Sequence, residues 1–280
     1  MLERVVLTGA AGDLGRRLRK PLSDMCTHLV TTDIVEITDL LPNETFYQAD
    51  LADFAAMSEI VQDAEIIVHF GAIVDEKPFE ELLGPNFVGS YNIWETAYRT
   101  GARRIIYASS IHAVGMTPVN ASAGIDAPHA PDTFYGLAKC FTEDLGKMYW
   151  DKRGLESVHL RILSCAPVKN VRALGTWLSY TDMERLVLSA VTAQVTGFSV
   201  VYGVSRNDRT PVSNQGTGHL GYKPQDNAEQ FAKEILANAP PGDPKDPAQL
   251  YVGGPFAAVD LGESGMDAMR VVNKATTGED

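Results

Sequence analysis

Cysteine is scarce in this sequence. Cys26, Cys140 and Cys165 stand far apart in 280 residues, without a C-x-x-C pair, which argues against a disulfide framework or a thiolate zinc site. No apolar run approaches the roughly 18 to 20 residues that a membrane span requires, so no membrane partner is expected. No cluster of His, Asp or Cys has metal spacing, and no G-x-S-x-G elbow points to a hydrolase. Internal repeats and low-complexity blocks are missing as well. Basic residues are outnumbered, with 24 Lys+Arg against 36 Asp+Glu and a net charge of −12. That balance repels phosphate backbones and offers no basic stripe, so nucleic acid is not an expected partner. A small anionic substrate stays possible, because one arginine inside a pocket outweighs the mean field of the surface. Met1 to Thr8 enter a strand directly, without the pattern of a secretory signal, and the expected location is cytoplasmic.

What is present is alternation. Short β-rich apolar runs at Arg4–Leu7, His28–Thr32, Ile66–Phe70, Arg104–Ala108 and Ser157–Ile162 are separated by segments of helical length. The helical segments are Gly15–Ser23, Phe54–Asp63, Asn86–Thr100 and Phe134–Asp151. The pattern predicts βαβ units, hence an α/β fold with a Rossmann-type doubly wound parallel sheet. After residue 163 it loosens, with a helix over Thr181–Thr196, a strand over Ser199–Val204, a helix over Asn227–Asn238 and turn-rich stretches between. The expected organisation is a nucleotide-binding core over 1–163, a small C-terminal substrate lobe over 164–256 with segments returning to the core, and a tail over 257–280. From about Gly262 that tail is polar and is expected to be partly disordered.

The first strand runs into Thr8-Gly9-Ala10-Ala11-Gly12-Asp13-Leu14-Gly15 and then a helix. Glycines there permit a tight turn and close backbone approach, while the helix N-terminus offers unpaired N–H donors and a positive dipole to a pyrophosphate. Gly9, Ala11, Gly12, Asp13, Leu14 and Gly15 are therefore candidate dinucleotide contacts. Asp33 closes the second strand. A carboxylate there accepts hydrogen bonds from ribose hydroxyls and repels a 2′-phosphate, which favours NAD over NADP; the alternative is a solvated loop aspartate. Asp50 and Leu51 follow the third strand, Thr45–Gln48, and are candidates for the adenine edge or plain surface.

Tyr135-Gly136-Leu137-Ala138-Lys139 puts Tyr and Lys at i and i+4, so both rise from one helix face. An ammonium beside a phenol stabilises the phenolate and makes the tyrosine a usable base. The spacing is common on helices by chance. Here it lies downstream of a strand ending Ala108-Ser109-Ser110, whose Ser110 hydroxyl can share a substrate oxygen with the phenol.

Taken together, Thr8 to Gly15, His69-Phe70-Gly71-Ala72, Asn86 to Asn92, Ser109-Ser110 and Tyr135 to Lys139 resemble the extended short-chain dehydrogenases, the group of sugar-nucleotide epimerases and dehydratases. Glu76-Lys77-Pro78-Phe79-Glu80, Arg161-Ile162 with Ser164-Cys165, Thr176-Trp177 and Leu220 to Glu229 narrow the resemblance to the uronate dehydrogenases, and it extends to about residue 256. The resemblance implies NAD as cofactor, contacted also by Phe70, Gly71, Ala72, Asn86 and Ile162. It further implies oxidation of C1 of a hexuronic acid such as glucuronate or galacturonate to an aldarolactone. Ser110, Tyr135 and Lys139 would perform the chemistry, Arg172 would hold the sugar carboxylate and Ser164 would lie near cofactor or substrate. A homo-oligomer, dimer or larger, paired through the helices at 86–100 and 134–151, is implied as well.

Two departures fall among the substrate residues. Val74 stands where the family carries serine, and Ile111 where it carries asparagine after the catalytic serine. Each would remove a hydroxyl contact, at about 1 to 3 kcal/mol. An epimerase, a dehydrogenase of a less hydroxylated substrate and a non-enzymatic NAD-binding regulator are therefore the competing readings. His112 is placed to bond substrate or to support its own loop, and Arg172 to hold a carboxylate or sit on a surface loop. His69 is expected to border the cofactor through its backbone. Trp177, Tyr180 and Tyr202 are candidates for sugar stacking or for core packing.

Overall fold

The computed structural model describes residues 1–277. Seven parallel strands form one sheet: β1 (Leu2–Thr8), β2 (Cys26–Asp33), β3 (Glu44–Gln48), β4 (Ile66–His69), β5 (Arg104–Tyr107), β6 (Glu156–Ile162) and β7 (Phe198–Gly203). Their order is β3-β2-β1-β4-β5-β6-β7. Strand periodicity explains why both faces are covered, since neighbouring residues point to opposite sides. Val5 and Leu7 of β1 enter one core with Ile66, Val68 and Ile106, whereas Val6 enters the other with Ile67 and Ile105.

Helices α1 (Asp13–Ser23), α2 (Phe54–Ile60), α3 (Phe79–Leu82), α4 (Gly89–Thr100) and α5 (Phe134–Arg153) connect the first six strands. Helix α6 (Ala173–Thr176) and helix α7 (Tyr180–Thr192) follow β6. Leu186 and Val187 of α7 pack into the same core as Leu18 and Leu22 of α1. Because α7 and β7 belong to the sheet layer, what lies outside it in the C-terminal part is loops and short elements, including α8 (Ala232–Asn238) and α9 (Pro247–Leu250). Two satellite clusters support them: Ile111, Val114, Tyr202, Val204 and Val252 in one, and Leu174, Ala228, Ala232 and Ile235 in the other.

Two expectations are corrected here. The helix anticipated from Asn86 begins at Gly89, because Leu83–Val88 form a wide π turn around Pro85. Proline lacks the N–H for the i−4 bond and its ring crowds the preceding turn, so the helix opens there. The tail is not structureless either: Gly265–Thr277 form helix α10, while 278–280 lie outside the described residues. No helix among the described residues is long and apolar enough to cross a membrane.

The strand order reverses at the β1/β4 junction, and the crevice beyond the carboxyl ends of such strands is where an open α/β sheet takes ligands. The Gly-rich turn follows β1 and Phe70-Gly71-Ala72 follows β4, so both sequence signals meet at that junction.

Candidate active site

A cleft of about 610 Å³ opens there, lined from the Gly-rich turn through Asp33 to Tyr135, Lys139 and Arg172. Gly9 adopts φ +70°, and a Cβ on it would meet Gly71 N at 2.5 Å. A Cβ on Gly15 would lie 2.0 Å from Gly9 O. Any side chain at either position would spoil the turn. The N-cap of α1 is Gly12, whose missing side chain leaves the first N–H groups of the helix uncapped at the cleft. An uncapped N-terminus beside a backbone cradle fits an anionic pyrophosphate.

Asp33 has two attachments. Its Oδ2 accepts Ala11 N–H at 2.9 Å and its Oδ1 accepts Val35 N–H at 3.0 Å, so it clamps the Gly-rich turn while facing the cleft. Asp50, Leu51, Phe70, Gly71, Ala72 and Ile162 also line the cleft. Asn86 does not. Its amide is buried and bonds Ile73 N and Ile73 O, both at 2.9 Å, so it shapes the loop that carries Val74. The His69 ring is buried, bonds Thr8 Oγ1 at 2.7 Å, and is driven down to a pKa of about 3 by burial, then by the nearby Lys139 charge, so it stays neutral.

Helix α5 starts at Thr133, whose side chain accepts Gly136 N–H at 3.0 Å. Tyr135 and Lys139 then project into the cleft while nearly buried. The Lys139 ammonium donates to Ala108 O at 2.8 Å and sits 5.2 Å from the Tyr135 ring centroid. Burial pushes the Tyr135 phenol up to about 12, against a Ser110 hydrogen bond that lowers it. Burial also pushes Lys139 down to about 7, against Glu143, which raises it. Glu143 follows on the same face of α5. It accepts Ser109 Oγ at 2.5 Å and pairs with Arg161 at 2.7 Å, which supports the floor of the site with compensated charge.

Ser110 lies at the cleft three residues beyond β5, as the N-cap of the 3₁₀ turn Ile111–Val114. His112 lines the cleft as well. Its Nδ1 bonds Asp132 Oδ2 at 2.8 Å, and its ring stacks on Phe256 at 4.1 Å and meets Tyr135 edge-on at 5.7 Å. Asp132 thus orients the ring and leaves the Nε2 edge for the cleft. Ile111 is a correction: the turn points it away from the cleft into the cluster of Val114, Tyr202 and Val204. Val74 does line the cleft and is exposed. Trp177, Tyr180 and Tyr202 are all outside the cleft lining: Tyr202 is core, Trp177 meets Phe231 edge-on, and Tyr180 lies under Arg17.

Arg172 reaches the cleft from the loop before α6, its Nη1 bonding Ser164 Oγ at 3.0 Å and its Nη2 bonding Val252 O at 2.8 Å. Among the described residues no carboxylate forms an ion pair with it, in contrast to the buried Arg19, Arg104 and Arg161. Burial lowers its pKa to about 10. It remains charged at neutral pH, and an unpaired guanidinium in a cleft is a receptor for an anion. No cluster of metal-ligating residues is found among the described residues.

Several participants were not read from the sequence. Asp132, Phe256, Asn170, Met266, Met269 and Asn273 carry no local pattern, and Glu76 was read only as part of its motif.

The profile of the NAD dependent epimerase/dehydratase family matches residues 5–166. The uronate dehydrogenase of Agrobacterium fabrum is 43% identical over 256 residues, covering 91% of this chain and 97% of that protein. A mutant uronate dehydrogenase from Agrobacterium tumefaciens complexed with NAD superimposes with a TM-score of 0.89 at 42% identity, covering 93% of this chain and 98% of that one. The glucuronic acid dehydrogenase from Chromohalobacter salexigens gives a TM-score of 0.90 at 38% identity, with 93% and 98% covered.

Proposed function

Since this chain belongs to the NAD dependent epimerase/dehydratase family, and within it to the uronate dehydrogenases, we propose that it oxidises C1 of a free hexuronic acid to an aldarolactone with NAD. The observation that carries the reading is a buried Tyr135–Lys139 pair and an unpaired Arg172 in one cleft. Arg172, with Ser164 beside it, binds the sugar carboxylate. Ser110 and Tyr135 hold the C1 hydroxyl, and Tyr135 as phenolate takes its proton. Lys139 stabilises that phenolate and bonds the nicotinamide ribose. His112, oriented by Asp132, offers its Nε2 edge to a ring hydroxyl. Bound NAD supplies the acceptor for the hydride from C1. The Gly9–Gly15 turn, Asp33, Asp50, Leu51, Phe70–Ala72 and Ile162 hold it in place. The setting we assign is the cytoplasm, where NAD is turned over.

Purified protein given NAD and glucuronate or galacturonate is expected to form NADH. With NADP the rate should be at least about 100-fold lower, because Asp33 repels a 2′-phosphate. Silence with NAD across uronic acids and neutral aldoses refutes the reading, and tightly retained NAD without net reduction would mark an epimerase.

We also infer a homo-oligomer paired through α4 and α5, where Tyr91, Leu137, Phe141 and Met148 are exposed. Sedimentation should give at least twice the monomer mass, and Leu137→Glu with Phe141→Glu should lower it.

A further inference from the structure

The loop after β4 carries two neighbouring carboxylates that hold the C-terminal segment. Asp75 Oδ1 accepts Met266 N–H at 3.0 Å and Asp75 Oδ2 accepts the Ser264 hydroxyl at 2.5 Å. Ser264 Oγ accepts Asp267 N–H at 3.0 Å, so the two side chains together cap α10. Glu76 is fully buried and accepts Gly262 N–H at 2.9 Å through one oxygen and Tyr135 N–H at 2.8 Å through the other. Further along the helix, Asn273 Oδ1 accepts from Asn170 Nδ2 at 2.6 Å, two residues from Arg172. Helix α10 therefore spans from the loop of Val74 to the loop of Arg172. Met266, Met269 and Asn273, spaced i, i+3 and i+7, form its face toward the cleft. Arg270, Val271 and Lys274 stay exposed, so core packing is not what this helix supplies.

Building on the sugar-acid dehydrogenase reading, we propose that α10 is a wall of the substrate end of the cleft and that Met266 and Met269 are specificity-determining residues touching the sugar ring. The resemblance read in the sequence ends near residue 256, before this element begins. Thioethers pack against the C–H faces of a sugar and are weak acceptors, so they fill the space without reading the configuration of a hydroxyl. Val74, on the loop that caps α10, continues the same apolar rim.

The test is a pair of opposite charges. Met269 Sδ lies 3.7 Å from Asn170 Nδ2, on the Arg172 side. In the full chain, Met269→Glu places an anion in the cleft that Arg172 also lines, and KM for glucuronate should rise at least about 10-fold. Met269→Lys should leave it within about threefold or lower it, and the Kd of NAD should change by less than about twofold in both. Asn273→Asp, nearly isosteric and still able to accept from Asn170, guards against a folding defect and should raise KM in the same direction. Equal KM changes for both charges, no change in any variant, or a shift confined to NAD affinity overturns the proposal. Wild-type protein that forms no NADH from any uronic acid would instead overturn the dehydrogenase reading on which it rests.

Discussion

Tyr135→Phe should reduce kcat for uronate oxidation by about 10³-fold, within the range for loss of a positioned acid or base, while NAD binds as in the wild type. The substitution removes one hydroxyl and keeps the ring that meets His112 edge-on and faces Phe256 at 6.4 Å. Packing and fold should therefore survive. Isothermal titration with NAD beside steady-state kinetics separates the two effects, and an unchanged kcat would remove Tyr135 from the chemistry. The pH profile carries a matching signature. With the Lys139 ammonium depressed to about 7 and the Tyr135 phenol raised to about 12, the pair holds two protons below pH 7 and one above it. Only after losing one can it exist as phenolate and ammonium. Wild-type kcat/KM should thus rise with unit slope as pH passes about 7 and fall away below it, the apparent constant belonging to the pair. Lys139→Met removes the group that releases the first proton, so the limb near pH 7 should disappear and activity should instead keep rising toward the Tyr135 value of about 12.

Arg172→Met should lower kcat/KM for glucuronate by about 10²- to 10³-fold, chiefly through KM, as expected for loss of a buried charge-assisted contact. A neutral aldose lacks the carboxylate, so its slower turnover should change by less than about threefold; both substrates losing equally would count against the assignment. Stability should move the other way. The half-buried guanidinium forms no ion pair among the described residues, and desolvation depresses its pKa to about 10 against Asp132, which raises it. Replacing it with a flexible apolar side chain relieves that desolvation, so Tm measured by calorimetry should equal or exceed that of the wild type. A residue that costs the free protein stability while serving an anionic ligand is what a binding role predicts.

The parts of this protein legible from its sequence are those whose cause is local. Tyr135 and Lys139 share a face because helical geometry places i and i+4 together, with nothing else required. The turn from Gly9 to Gly15 is dictated by steric limits that any Cβ would break. The alternation of apolar strands with helical segments leads to a parallel sheet and so to a cleft at its carboxyl edge. Asp33 belongs in the same group, since its place at the end of β2 follows from strand order.

The parts not legible depend on residues distant in the chain. Ile111 follows Ser110 directly, and its direction is set by a 3₁₀ turn whose apolar partners, Tyr202 and Val204, come from β7 and the residue after it. Arg172 was ambiguous because loop length alone does not say which way a guanidinium points; Ser164 and the carbonyl of Val252 decide it. Helix α10 looked like a polar tail because its amphipathic face is narrow and its cap is supplied by Asp75, 191 residues away in sequence. By itself, the sequence determined the fold, the Gly-rich turn and the shared face of Tyr135 and Lys139, since propensity, sterics and helical spacing act over a few residues. The substrate end of the cleft was decided only by the tertiary structure, because its wall is assembled from loops and a terminal helix whose positions follow from capping and burial across the whole chain.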